Sequence, residues 1–245
     1  MRQEQHFKIF DRNAIIRSMF ISSLARRAII GICWTFATMV GLLGLSAGST
    51  RYWAGWAFVV TFLLCCVCIT ADLLRRDPAL VEQRMRSGPA AEKENTQKVI
   101  QSIIAAAFIG FLIVAGLDFR FGWSAAPLGI LILGHILTIL SFAGIYLVLR
   151  ENSFASNTIE TTADQRLVDT GPYAIIRHPM YAASLLLFVG IPFALGSYWS
   201  LLLAIPMVAA LVVRVQNEER FLDANLQGYR CYRQRIRWRL IPLVW

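Results

Sequence analysis

Charge is what this chain has least of. Asp, Glu, Lys and Arg make up 16% of its 245 residues, where a soluble domain carries about 25%. Histidine is scarcer, with three in the whole chain. Too little charge is present to cover an ordinary solvated surface, and 57% of the residues are apolar, with a mean hydropathy of +0.55. Because the apolar residues fall into long blocks, the chain reads as one polytopic membrane bundle rather than a string of soluble domains. No internal repeat is visible. The first 27 residues hold no short apolar region followed by a small-residue cleavage site, so no cleavable signal is expected. The five cysteines carry no disulfide framework. Cys65, Cys66 and Cys68 have no His or carboxylate beside them, so they read as small apolar residues of a helix and no metal site is expected.

What charge there is has one dominant sign: 24 basic residues against 15 acidic, a net of +9. The basic residues stand in blocks beside apolar segments. That placement fits anionic lipid headgroups and topology control, and excludes nucleic acid as the partner.

In chain order, residues 1–27 interleave Arg2, Lys8, Arg12, Arg17, Arg26 and Arg27 with Phe7, Ile9, Phe10, Ile15, Ile16, Met19 and Phe20, the pattern of an amphipathic helix on a membrane surface. Spanning helices need about 20 mainly apolar residues. The sequence predicts four across 28–149: Ala28–Ala47, Trp53–Leu74, Val99–Leu117 and Leu128–Leu149. Gly44 and Gly48 form a small-xxx-small pattern suited to helix packing. Two more spans, Tyr181–Leu195 and Tyr198–Val215, turn at Gly196–Ser197 as a helical hairpin. The expected fold is therefore all-α, a transmembrane bundle with about six crossings. Six crossings put 22 Lys and Arg residues on one side and 2 on the other, so both termini are expected in the cytoplasm.

Residues 150–245 hold two polar clusters that the hairpin returns to one membrane face. The first is GPYAIIRHPMY, residues 171–181. Gly171 and Pro172 suit a tight turn. Pro179 suits a first helical turn, whose free N–H groups favour anions. Arg177 offers a planar fork for a carboxylate, His178 a titratable ring, and Tyr173 and Tyr181 aromatic faces. The set could hold a ligand with a carboxylate, an aromatic base and a positive centre. The second cluster is RVQNEE, residues 214–219. Arg214 and Glu218 share a helical face, either as a mere ion pair or as groups that steady a cation or take a proton from an amine. His135 is an ionisable residue inside the fourth span, and therefore a candidate for function, with a hydrogen bond to a neighbouring helix as the plainer alternative. Asp72, Arg75 and Arg76 mark an interface.

The order Gly-Pro-Tyr-x4-His-Pro-x-Tyr, hairpin, Arg-x3-Glu-Glu, then Gly228-Tyr229-x2-Tyr232 resembles the isoprenylcysteine carboxyl methyltransferase family, which belongs with the phospholipid N-methyltransferases. The resemblance covers 150–245; earlier residues match only as apolar helices. Asn152–Phe154 is similar to a polar-aromatic element after the family's fourth helix, and Gln227 stands where the family often has Phe. The resemblance implies S-adenosylmethionine as methyl donor, bound on the cytoplasmic side. It implies Tyr173, His178, Pro179 and Tyr181 around the cofactor, closed by Glu219 or Tyr229; Gly171, Pro172 and Arg177 join them from the reading of the turn itself. Arg214 and Glu218 would be the catalytic pair, with Asn152 toward the acceptor, where the intramembrane position of His135 also puts that residue. The acceptor implied is a lipidic one entering from the bilayer: the carboxylate of a prenylated cysteine or a similar hydrophobic acid, or else the amine of phosphatidylethanolamine. Sterol reductases, which use NADPH, have a similar Arg-His-Pro region and remain an alternative, although Pro172, Tyr173 and Met180 stand where they carry tryptophans and Asn. A membrane scaffold without catalysis is the third reading.

Overall fold

The computed structural model describes residues 2–85, 88–92, 94–155 and 166–245, with side chains from residue 19 on. Among these residues there are helices and no strand. Helix α1 runs Arg2–Ala47, α2 Trp53–Arg76, α3 Pro78–Met85, α4 Asn95–Phe121, α5 Leu128–Glu151, α6 Pro179–Ala194, α7 Ala204–Asn225 and α8 Tyr229–Arg235. Five segments are long and apolar enough to cross a membrane: Met19–Ala47, Trp53–Arg76, Asn95–Phe121, Leu128–Glu151 and Ser200–Asn225. Each overlaps a predicted span.

The first helix reaches further back than the expected span. No break separates residues 2–27 from the span that follows; α1 is continuous over 46 residues, with no Pro or Gly before Gly31. The amphipathic faces expected of 1–27 lie mostly outside the described side chains. Helix α6 is the second difference. Its 16 residues give about 24 Å of rise, short of the roughly 30 Å hydrocarbon core. It nevertheless joins the two ends of the bundle. Beside its start, Arg214 donates to Gln97 at the first turn of α4 (3.1 Å); just past its end, Ser197 donates to Asp118 at the last turn of α4 (2.5 Å).

Glycine decides the helix pairing. A Cβ on Gly134 of α5 would collide with the α6 backbone at Phe193 and Ala194, and one on Gly190 of α6 would press on Thr138 and the Gly134 carbonyl. The hairpin partner of α6 in sequence is α7, but its close-packed partner is α5. Gly116 of α4 meets Ser46 and Ala47 of α1 in the same way; the close crossing therefore uses Gly116 and not the Gly44–Gly48 pattern, since Gly44 faces Trp56 of α2 at 3.7 Å and Gly48 lies past the end of α1. Gly196 makes the hairpin turn at φ +68°, a conformation that suits glycine.

The end of the bundle remote from the two motifs is tied by Asp118, which is 1% exposed. Its carboxylate accepts from Ser124 N (2.6 Å), Ser124 Oγ (2.7 Å) and Ser197 Oγ. Next to it the Tyr52 hydroxyl donates to the Leu195 carbonyl at 2.5 Å. Asp118→Ala removes the buried acceptor of three donors, one of them the buried Ser197 hydroxyl, and should lower unfolding stability in detergent by about 2–4 kcal/mol. A variant melting with the wild type would show that these loops are held by other means.

Candidate active site

The hairpin brings the two motifs together. Gly171, exposed and at φ +56°, starts a short 3-10 turn, Gly171–Ala174, below α5; Thr170 hydrogen-bonds Glu151 at the end of that helix. Gly171 and Pro172 do not line a cavity themselves; their turn sets Tyr173. The Tyr173 hydroxyl accepts from Asn152 Nδ2 at 2.9 Å, and its carbonyl accepts from the Tyr232 hydroxyl at 2.8 Å. Three separated segments, the end of α5, the turn and α8, thus meet on one residue. Burial pushes the Tyr173 hydroxyl up to about 12, so it stays protonated.

Arg177 and His178 come next, both buried. The sequence assigns the Arg177 fork to a ligand carboxylate. In the fold it holds a carboxylate of the chain: Nε and Nη2 each lie 2.7 Å from Glu219 Oε1. Arg177 Nη1 donates to the carbonyls of Ile236 (2.8 Å) and Arg237 (2.9 Å). The backbone N–H groups of Arg177 and His178 donate to Trp238 and Arg239 carbonyls, both at 2.9 Å. The C-terminal segment therefore straps the start of α6. Glu219 Oε2 accepts from Arg239 Nε at 2.9 Å. Glu219 is an internal strut and does not border the cavity.

Between these elements lies a cavity of about 860 Å³ including its mouth, bordered by Asn152, Phe154, Tyr173, Arg177, His178, Pro179, Tyr181, Glu218, Phe221, Tyr229 and Tyr232. Two buried polar atoms of residues that border it have no hydrogen-bond partner: His178 Nε2 and the Tyr229 hydroxyl. His178 Nε2 lies 3.4 Å from Glu219 Oε1. Burial, reinforced by the nearby Glu219 and Glu218 charges, raises the Tyr229 hydroxyl above its ordinary range. It is a fixed donor awaiting an acceptor.

A second cavity, of about 1370 Å³, opens between α4, α6 and α7. It is bordered by apolar side chains such as Phe108, Phe188 and Leu211, and by the cations Arg84 and Arg214. Met180 and Tyr181 border both cavities. The Tyr181 hydroxyl donates to Glu218 Oε2 at 2.6 Å and accepts from Arg214 Nε at 3.0 Å. Arg214 and Glu218, read as a pair from their spacing, are joined through this hydroxyl, with Glu218 on the first cavity and Arg214 on the second.

His135 is elsewhere. Its Nδ1 lies 3.1 Å from Thr61 Oγ1 on α2, and it borders neither cavity. Asn152, read toward the acceptor, borders the first cavity instead. Reasoning from sequence missed Glu92 and Gln97, both buried, which accept from Arg214 Nη1 at 2.9 and 3.1 Å. It also missed Arg84, whose Nη1 donates to the Ala155 carbonyl at 3.1 Å, and Arg239.

S-adenosylmethionine fits the first cavity: a carboxylate at Glu218 and four tyrosine rings suit a sulfonium cation, and two unpartnered buried atoms suit its polar groups. No curated protein matches the sequence. Residues 125–227 match the family model described as phospholipid methyltransferase, a stretch holding both motifs and most of the residues around the two cavities. With five spans long and apolar enough for a bilayer, this match identifies the chain as a membrane methyltransferase that uses S-adenosylmethionine.

Proposed function

We propose that the acceptor is the carboxylate of a lipidic molecule, a prenylated cysteine or a similar hydrophobic acid, methylated at the cytoplasmic face of a six-crossing bundle. One observation carries this reading: the second cavity is walled mainly by apolar side chains, is bordered by Arg84 and Arg214, and shares Tyr181 with the first. An aliphatic tail suits its walls, and an anionic head suits its end. The split of 22 basic residues to 2 across six crossings supports the orientation.

When bound, S-adenosylmethionine supplies an activated methyl group on a positive sulfur. Tyr173, Tyr181, Tyr229 and Glu218 would surround the cofactor, with Asn152 holding Tyr173, and His178 and Tyr229 would offer their free polar atoms to it. Pro179 sets the first turn of α6. Arg214 would orient the acceptor carboxylate, and Glu92 and Gln97 hold Arg214. A carboxylate needs no base, so the residues have only to align the two reactants and exclude water.

Glu218 gives a second reading some support. It borders the cofactor cavity and takes a hydrogen bond from Tyr181, which would suit it to receive a proton from a phospholipid amine. The two readings leave different products. Purified protein in vesicles is given methyl-labelled S-adenosylmethionine with either an S-farnesyl cysteine derivative or phosphatidylethanolamine. The expected result is label in the first, released as methanol by mild alkali because it is an ester. Alkali-stable label in phosphatidylethanolamine, with none in the acid, would replace this reading with the second.

A further inference from the structure

The last ten residues do more than strap α6. After α8, residues 236–239 supply the carbonyls that hold Arg177 and His178. The chain then closes a small loop. The N–H groups of Arg239, Leu240 and Ile241 all donate to the Trp245 carbonyl oxygen, and those of Val244 and Trp245 donate back to Ile241. The Arg239 guanidinium lies over the Trp245 ring, 4.9 Å from its centroid.

Two features of this loop are costly in water. Its tip is apolar and bare, with Leu243 85%, Val244 73% and Ile241 45% exposed. Leu243 also has φ +67°, the only non-glycine residue with positive φ among the described residues. A bulky residue is uncommon in that region and needs a reason. Here the conformation presents Leu243 and Val244 together on the outside of the turn. The level of the turn is fixed by its neighbour. Leu240 is 5% exposed, and the two residues before it, Trp238 and Arg239, accept from the backbone N–H groups of Arg177 and His178, so the loop lies beside the start of the membrane helix α6. Arg230 and Arg237 are exposed on the same tail, and cations beside an apolar tip suit anionic headgroups.

We propose that Ile241–Val244 is a membrane-interface anchor. The side chains of Ile241, Leu243 and Val244 enter the edge of the bilayer around this protein, and the lipid surface keeps the C-terminal strap against Arg177 and His178. Three side chains are too small a patch for a stable protein partner, which needs about 1,200 Å² or more of buried surface.

The test places a fluorescent nitrobenzoxadiazole label at Val244→Cys, with the five native cysteines replaced, in vesicles of phosphatidylcholine and phosphatidylglycerol. Binding of S-adenosylhomocysteine by the labelled protein verifies its fold. A label at Arg230→Cys serves as the exposed comparison. The expected result is quenching by headgroup-attached nitroxide lipid and protection from aqueous iodide at position 244, with the reverse at position 230. Iodide quenching at 244 equal to that at 230 would overturn the proposal. So would protection from both quenchers, the mark of a second copy covering the turn. As a consequence of the anchor, Leu243→Asp with Val244→Asp should bind S-adenosylhomocysteine about five-fold more weakly in vesicles, because the loosened strap must be ordered on binding. Unchanged affinity would overturn that coupling.

Discussion

Replacing Glu219 with alanine is expected to cost the protein about 3–5 kcal/mol of stability and its measurable affinity for S-adenosylhomocysteine. The size follows from what the carboxylate holds. Oε1 lies 2.7 Å from both Nε and Nη2 of Arg177, and Oε2 accepts from Arg239 Nε at 2.9 Å. The Arg177 and Glu219 side chains are only 6% and 5% exposed. Alanine leaves the Arg177 charge buried with carbonyls alone as partners, and an unpaired buried charge costs far more than the pair gains. The damage spreads because Arg177 also binds Ile236 and Arg237, and so carries the strap beside the first cavity, the proposed cofactor site. The double variant Arg177→Met, Glu219→Leu separates the two losses. With both charges removed together it should melt within about 1–2 kcal/mol of the wild type. It should still bind S-adenosylhomocysteine poorly, because the bonds from Arg177 to the tail are gone. Thermal unfolding in detergent and calorimetric titration measure the two effects. Wild-type melting of Glu219→Ala would show that the strut is not needed.

The spans were legible because hydropathy is a local property. The boundaries of α2, α4, α5 and α6 lie within a few residues of the apolar blocks that marked them, whereas α1 starts earlier and α7 runs to Asn225, well past its block, and the short α3 and α8 have no apolar block. The meeting of the two polar clusters was legible too, since a hairpin as short as 181–215 has one way to fold back. Three things were not. The pairing of α6 with α5 depends on Gly134 and Gly190 facing one another, and a single glycine in an apolar run does not name its partner. Glu92 and Gln97 stand in a polar stretch where solvated charge is the ordinary reading; they reach Arg214 only across 122 and 117 residues of chain. The role of Arg177 was half legible. A planar fork did call for a carboxylate, but that carboxylate belongs to α7. His135 follows the plainer of its two readings. An ionisable residue inside a span invites a functional reading, yet one hydroxyl on a neighbouring helix, Thr61, partners it.

Tyr181→Phe should lower kcat about 10²- to 10³-fold while the cofactor KM stays within about three-fold. The ring remains, so the wall shared by the two cavities keeps its shape and the fold keeps its packing. What goes is one oxygen, the hydrogen-bond link between Glu218 on the cofactor side and Arg214 on the acceptor side. Arg214 keeps Glu92 and Gln97 on Nη1, so it does not collapse; its Nε loses the contact that turns the guanidinium toward the shared wall. Glu218 is released on the other side. Both groups then adjust by a fraction of a bond length, and methyl transfer between aligned reactants is sensitive to displacements of about 1 Å. In the proposed arrangement the cofactor is held chiefly by residues this change leaves alone, notably Tyr173, His178 and Tyr229, which is why KM and kcat should part. Single-turnover methyl transfer with saturating cofactor reads the effect directly. A rate equal to that of the wild type would mean that the hydroxyl only braces the wall and that Arg214 takes its orientation from α4. In that case Gln97→Ala should produce the loss instead.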